Sequence, residues 1–290
     1  MDLVLNINKP PGPTSFAAVA RVRRLCRVRR VGHAGTLDPA ASGVLLVLIG
    51  QATRVARYLE PLTKEYQAVI RLGLETDTDD LEGDVTGKSP VPQLERAAVE
   101  KVLSGFTGEI DQVPPRYSAL KKDGVPLYRL ARQGRPADPA PRKVNIQGIE
   151  LLSLSDSELG IRVTCSKGTY VRSLARDIGR ALGCGGTLAG LIRRAVGRFG
   201  IEEAVPLEAL DAGSVAAKGI SIDRALDFLP RVDLDDSEAG RARHGNIIDR
   251  TSGLEPGSVF RLRHQGSLVA VGRESGGMIR PECVFTAPER

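Results

Sequence analysis

Short apolar runs broken by glycine, proline and charge set the rhythm of this chain. Residues 3–7 (LVLNI) read as a strand, ended by Lys9-Pro10-Pro11-Gly12-Pro13 because proline cannot donate a ladder hydrogen bond. From Thr14 or Ser15, either of which suits an N-cap, the spacing turns helical to about Arg30. Phe16, Val19, Val22 and Leu25 or Cys26 fall on one face, and Arg21, Arg23, Arg24, Arg27 and Arg29 or Arg30 on the other. A glycine-rich loop, Gly32 to Gly43, leads to an apolar strand at 44–49, a helix around 51–60 and a strand at 66–72. The acidic stretch Glu75 to Asp84 reads as a solvated turn. Helices are expected near 93–105 and 126–133, and segments 144–153 and 159–165 alternate as paired strands do. Gly168-Thr169 opens a helix to about Leu182, closed by Gly183. Beyond Pro230 the apolar runs shorten, and Gln265-Gly266 and Gly276-Gly277 supply turns, a pattern that fits a small β-rich module.

The 290 residues are long enough for one large or two ordinary domains. The longest apolar runs, such as 44–49, are far shorter than a membrane span needs, and the amino terminus carries neither a basic leader nor a long apolar stretch. Four scattered cysteines without a C-x-x-C pair suit isolated thiols in a reducing cytoplasm. Three histidines form no ligand motif, so no metal is expected. Charge alters the picture through its placement. Residues 1–60 hold nine basic and three acidic side chains and residues 111–200 hold sixteen and seven, whereas 61–110 and 201–290 are net acidic. Two basic blocks of this kind suit either phosphate contacts or solvated helix faces.

Four places could carry chemistry. Asp38 and His33 sit in the small-residue loop GHAGTLDPAASG, where glycines permit close approach by a ligand; Asp38 suits a nucleophile or acid/base, or simply an N-cap before Pro39. In Cys165-Ser166-Lys167-Gly168-Thr169-Tyr170-Val171-Arg172 a strand meets a helix, and Arg172 could face an anion or pair with a buried carboxylate. Tyr66 at a strand start suits base stacking, proton transfer, or plain packing. Aromatics interleave with cations from Pro114 to Gly134, as single-stranded or looped RNA would favour, although an amphipathic helix explains them too.

Taken in order, Asn8-Lys9-Pro10-Pro11-Gly12, Gly32-His33-Ala34-Gly35-Thr36-Leu37-Asp38-Pro39, Ser118-Ala119-Leu120-Lys121 and Cys165–Arg172 closely resemble the bacterial TruB family, the tRNA pseudouridine synthases acting on uridine 55 of the T loop. The resemblance covers about residues 3–229. The tail, notably Val271-Gly272-Arg273 and Ile279-Arg280-Pro281, resembles that family's small PUA-type RNA-binding domain. The resemblance implies an α+β fold: a catalytic domain (1–229) around a mixed, mainly antiparallel sheet, and a PUA-like domain (230–290). It implies an isomerisation in which the N1–C1′ bond of uridine breaks and C5 bonds to C1′, with no cofactor, on tRNA. A cytoplasmic monomer with no membrane association and no obligate protein partner is expected.

Residue by residue, Asp38 matches the essential aspartate, and Arg172 the arginine that pairs with it and fixes its rotamer. Tyr66 matches the tyrosine that stacks on the target uracil. Tyr170 matches a residue of the site wall, Leu191 an apolar contact below the base, His33 a T-loop contact, and Lys9 a residue packed near the active-site motif. The motif around Leu191 reads Leu191-Ile192-Arg193-Arg194, where relatives often place both arginines directly after the leucine. A non-catalytic RNA-binding or tRNA-folding module is the alternative; the presence of Asp38, Tyr66 and Arg172 together argues against it.

Overall fold

The structure, a computed structural model, describes residues 1–122, 124–135, 137 and 139–285. Positions 123, 136 and 138 of the basic-aromatic segment, and 286–290 of the tail, lie outside the described residues.

One mixed sheet organises the larger part of the chain. Its body is β1 (Leu3–Lys9), β2 (Val31–Ala34), β3 (Ser42–Ile49), β4 (Lys64–Leu72), β5 (Gly108–Gln112), β6 (Arg142–Leu154), β7 (Glu158–Cys165) and β8 (Gly186–Val196). In space they run β1-β3-β8-β4-β7-β6-β5, with β2 also on β3. All of these pairs are antiparallel except β3 with β8, which meet in parallel over Ser42 and Gly43. This is the mixed, mainly antiparallel α+β arrangement that the resemblance implied.

The unbroken apolar run of β3 has a direct cause. Leu45, Val47 and Ile49 pack into a core on one face of the sheet, with Val19 and Val22 of α1 (Ser15–Cys26) and Val171, Leu174 and Ile178 of the helix Val171–Ala181. Val44, Leu46 and Leu48 pack into a second core on the other face, against Ala52, Val55, Leu59, Ile222 and Leu226. A strand covered on both faces has no solvent side to keep polar. On β4 every second residue, from Lys64 through Tyr66 to Leu72, is buried.

The C-terminal β-sheet domain is built from β9 (Arg231–Asp233), β10 (Val259–His264), β11 (Ser267–Ser275) and β12 (Met278–Val284), with its own core around Phe260, Leu262, Ala270 and Ile279. It sits on the second face of the large sheet: Val271 and Cys283 join that core, Tyr58 donates to Glu282 at 3.1 Å, and Arg261 pairs with Asp223 at 3.0 Å.

Three expectations need correction. The first helix stops at Cys26 rather than Arg30, because Arg27 adopts the left-handed conformation (φ 53°). Its inward face is Ser15, Ala18, Val19 and Val22, and Phe16 lies outside it, 76% exposed. A serine can occupy the buried position because its hydroxyl is satisfied twice, donating to the Leu37 carbonyl (3.0 Å) and accepting from the Leu37 amide (2.9 Å). The acidic stretch is no solvated turn: short strands Leu74–Thr76 and Val85–Lys88 close it, Thr76 and Asp79 are buried, and Arg176 pairs with Asp79 at 2.7 Å.

Candidate active site

Three of the sequence motifs, including Ser118-Ala119 of the basic-aromatic segment, and the acidic loop converge on one cleft of about 850 Å³. The segment Gly35–Pro39 forms one wall, the turn Ser166–Arg172 another, and residues 77–84 a third; Tyr66 and Leu191 line it from the adjoining strands β4 and β8.

Asp38 and Arg172, 134 positions apart in sequence, meet here, with Arg172 Nε 3.0 Å from Asp38 Oδ2. The arginine is buried and the carboxylate side chain 44% exposed, so the pair presents an anion to the cleft from a cation set in the wall. The remaining guanidinium nitrogens are engaged: Nη1 donates to the Thr78 carbonyl and Nη2 to the Tyr117 carbonyl, both at 3.1 Å, and Asp80 lies 3.5 Å from Nη1. Two chain segments thus fix the fork, and the fork fixes the aspartate. The acidic loop supplies two of those partners.

Local structure explains how Arg172 reaches the cleft. Strand β7 ends at Cys165, Gly168 turns the chain with φ +83°, and the helix starting at Val171 places Arg172 in its first turn. Buried Gln112 pins the junction, donating to the Tyr170 carbonyl (3.0 Å) and accepting from its amide (2.8 Å). Tyr170 stands in the cleft wall beside Ser118, and burial pushes its phenol pKa up.

Tyr66 is 9% exposed, and burial raises its phenol pKa, against the opposing influence of Arg193. Arg193 was legible only as part of a motif, yet it is a connecting side chain of the site. It is 1% exposed and stands directly opposite Tyr66 in the β4–β8 register. Its guanidinium donates to the carbonyls of Val44 (2.7 Å), Thr36 (3.2 Å) and Gly35 (3.0 Å). A cation buried among carbonyls needs every donor matched; this one ties the Asp38 loop to the strand carrying Tyr66. Gly43 makes the approach possible: at φ +107° a Cβ there would lie 2.2 Å from the Arg193 carbonyl oxygen. The available signal was an arginine inside a strand among apolar neighbours.

The other expected site residues divide. Leu191 lines the cleft. Lys9 does not: it is fully buried behind the loop, its ammonium donating to the carbonyls of Pro10 (2.7 Å), Pro13 (3.0 Å) and Pro39 (3.2 Å), with burial lowering its pKa to about 8. His33 lies on β2, outside the cleft lining, its ring edge-on to Phe16 at 5.6 Å and its pKa lowered by burial. A further buried lysine, Lys64, reaches the cleft from the start of β4; it donates to the carbonyls of Glu60 and Leu62, and burial takes its pKa down to about 8.

Comparison with known proteins gives the same picture. Residues 23–171 match the family described as TruB family pseudouridylate synthase (N terminal domain), and residues 172–229 match the tRNA pseudouridylate synthase B C-terminal domain. Among curated proteins, the tRNA pseudouridine synthase B of Dehalococcoides mccartyi is 43% identical over 98% of this chain and 97% of its own, and that of Azoarcus sp. is 44% identical over 97% and 94%. Among solved structures, a chain of a Cbf5-Nop10-Gar1 complex superimposes with a TM-score of 0.77 at 28% identity, covering 98% of this chain and 85% of that one. A chain of an H/ACA RNP bound to a substrate RNA containing 2'-deoxyuridine gives 0.75 at 26%, with the same coverage.

Proposed function

The chain belongs to the TruB family of pseudouridylate synthases, and from that premise we propose that it isomerises uridine to pseudouridine at position 55 in the T loop of tRNA. The observation that carries this reading is the Asp38–Arg172 pair in a cleft roomy enough for a nucleotide and walled by the buried Tyr66 and by Tyr170. The near-full-length likeness to curated tRNA pseudouridine synthases, at higher identity than the likeness to chains of the H/ACA RNP and the Cbf5-Nop10-Gar1 complex, favours tRNA as the substrate.

In this reading the target uridine leaves its stack, at a cost of a few kcal/mol, and its base lies against Tyr66 with Leu191 below. Stacking, worth about 1–3 kcal/mol per base, and phosphate contacts from the basic segments offset that cost. Asp38 acts as an ionised carboxylate, either by nucleophilic attack on C1′ or the base, or by taking the C2′ proton to give a glycal. Along each route the N1–C1′ bond breaks, the uracil turns over in the cleft, C5 bonds to C1′ with the Asp38 adduct released or the proton returned to C2′, and the C5 proton leaves as N1 gains one. Nothing is oxidised or added. Tyr66 is the candidate base for the C5 proton, and Arg193 and Lys9 are positioning residues behind the Asp38 loop. Residues 1–229 form the catalytic domain in this reading, and 230–290 a PUA-like domain that adds RNA contacts.

Tritium release from T-loop RNA labelled at C5 of uridine, with Asp38→Asn alongside the wild-type protein, tests the proposal. Release by the wild type alone, mapped to uridine 55, is expected. Tight RNA binding with no release from either protein would leave a binding or folding role instead.

A further inference from the structure

Among the described residues, the most exposed large apolar side chain has no packing reason to be where it is. Phe16 is 76% exposed, far beyond the other large hydrophobics on the surface, whose values run up to 53% for Val85. Burial of an aromatic ring is strongly favourable, so its exposure is a cost with no return in the described contacts other than one edge-on ring, that of His33.

Its position is defined on both sides. Ser15, the preceding residue, is clamped to Leu37 by two hydrogen bonds, and Leu37 lines the cleft next to Asp38. The N-cap, Thr14, accepts from the Ala17 amide at 3.0 Å, which fixes the first helical turn. Phe16 is therefore held on a rigid element, just outside the cleft rim, with His33 beside it at an interplanar angle of 83°.

The rest of that helix face gives the occupant. Steps of four and three residues from Phe16 lead through Ala20 to Arg23, with Arg27 just past the helix end, all exposed, while Arg24 turns toward Ala17 and Arg21. The helix α1 contains no acidic residue. Arg23 donates to the Val31 carbonyl at 3.3 Å, so the stripe lies along β2, with the ring at the cleft end and the cations trailing away. One exposed aromatic followed by a line of cations matches a strand that offers an unstacked base and then successive phosphates. An apolar protein partner would gain little from the cations, and a duplex would offer no free base for the ring.

We propose that Phe16 is a base-stacking platform outside the catalytic cleft, taking a second, non-reacting unstacked nucleotide of the substrate loop while Arg23 and Arg27 hold the adjoining phosphates. This deepens the synthase reading and rests on it for the identity of the RNA. The reacting uridine occupies the cleft; the platform serves its neighbour, holding the loop open so that the cleft can be filled.

The chain contains no tryptophan, so Phe16→Trp installs a single fluorophore at the platform. Two RNAs serve as probes, a T-stem–loop and a blunt duplex of equal phosphate count. Saturable quenching by the stem–loop and little by the duplex is the expected result. Phe16→Ala is expected to raise KM for the stem–loop on the order of tenfold, with a smaller fall in kcat and a melting temperature close to wild type. Equal quenching by both RNAs, no quenching by either, or an unchanged KM for Phe16→Ala would overturn the platform. Absence of turnover by the wild-type protein would overturn the synthase reading instead, and the fluorescence comparison would still decide whether Phe16 meets an unstacked base.

Discussion

Arg193 and Tyr66 face each other across the β4–β8 ladder, and the Arg193 guanidinium donates to the carbonyls of Gly35 and Thr36. The strand carrying Tyr66 and the loop bearing Asp38 are thereby referenced to one buried cation. Arg193→Lys cannot reproduce that fork. Single-turnover rates at saturating RNA are expected to fall about tenfold or more while RNA affinity changes little; urea denaturation should show a loss of about 2–4 kcal/mol. Equal rates for variant and wild type would remove Arg193 from the positioning of the site.

The Asp38–Arg172 pair separates chemistry from stability. Asp38 is nearly half exposed, so Asp38→Asn should abolish tritium release and shift stability by less than about 1 kcal/mol. Arg172→Lys loses donors to Thr78 and Tyr117 as well as the planar fork, and should both slow turnover about a hundredfold and lower stability by about 2–3 kcal/mol. Thermal melts run beside the release assay check both.

Tyr66→Phe keeps the ring and removes the hydroxyl. RNA binding should persist while turnover falls by about two to four orders of magnitude if the phenol takes the C5 proton. Because burial raises the pKa of this phenol, its basic form is scarce at neutral pH, and the wild-type rate of the deprotonation step should climb with pH across the neutral and alkaline range. A pH–rate profile of the same slope in Tyr66→Phe would assign the proton to another base.

Two buried lysines make stability depend on pH in a direction opposite to that of buried acids. Lys9 and Lys64 have folded pKa values of about 8, below the 10.5 of the free side chain. The unfolded chain therefore binds more protons between these values, and stability rises as pH passes upward through about 8. Above about pH 9 the Cys165 thiol works the other way, since burial pushes it up to about 11 and the unfolded chain ionises first. Denaturation curves should thus show stability increasing between about pH 8 and 9, with a smaller increase in Lys9→Met.

His33 adds an acid limb. Its folded pKa is lowered by burial, so the unfolded chain takes the proton first and stability falls as pH drops below about 6.5. Titration of the His33 ring signals by NMR should give a midpoint below about 6.5.

Much of this was legible along the chain. The alternation of β4, the paired strands β6 and β7, the glycine turn before Arg172 and the motif around Asp38 are local patterns, and local spacing suffices to read them. Phe16 was misplaced because helical spacing alone cannot tell whether the buried face begins at a serine or at its aromatic neighbour. The acidic loop was misjudged because its burial depends on Arg172 and Arg176, supplied by a helix about a hundred residues further on.

Residue types at fixed spacings carried the resemblance along the sequence, and the resemblance implied the family, the mixed sheet, a site role for Asp38 and its pairing with Arg172. The tertiary structure alone decided how the other side chains pack around that site. It placed Lys9 behind the loop rather than in the cleft, and gave Arg193 its three carbonyl partners. Those contacts join β3, β8 and the loops between them, and a buried cation's need for matched oxygens is met only once the strands that carry them are packed together.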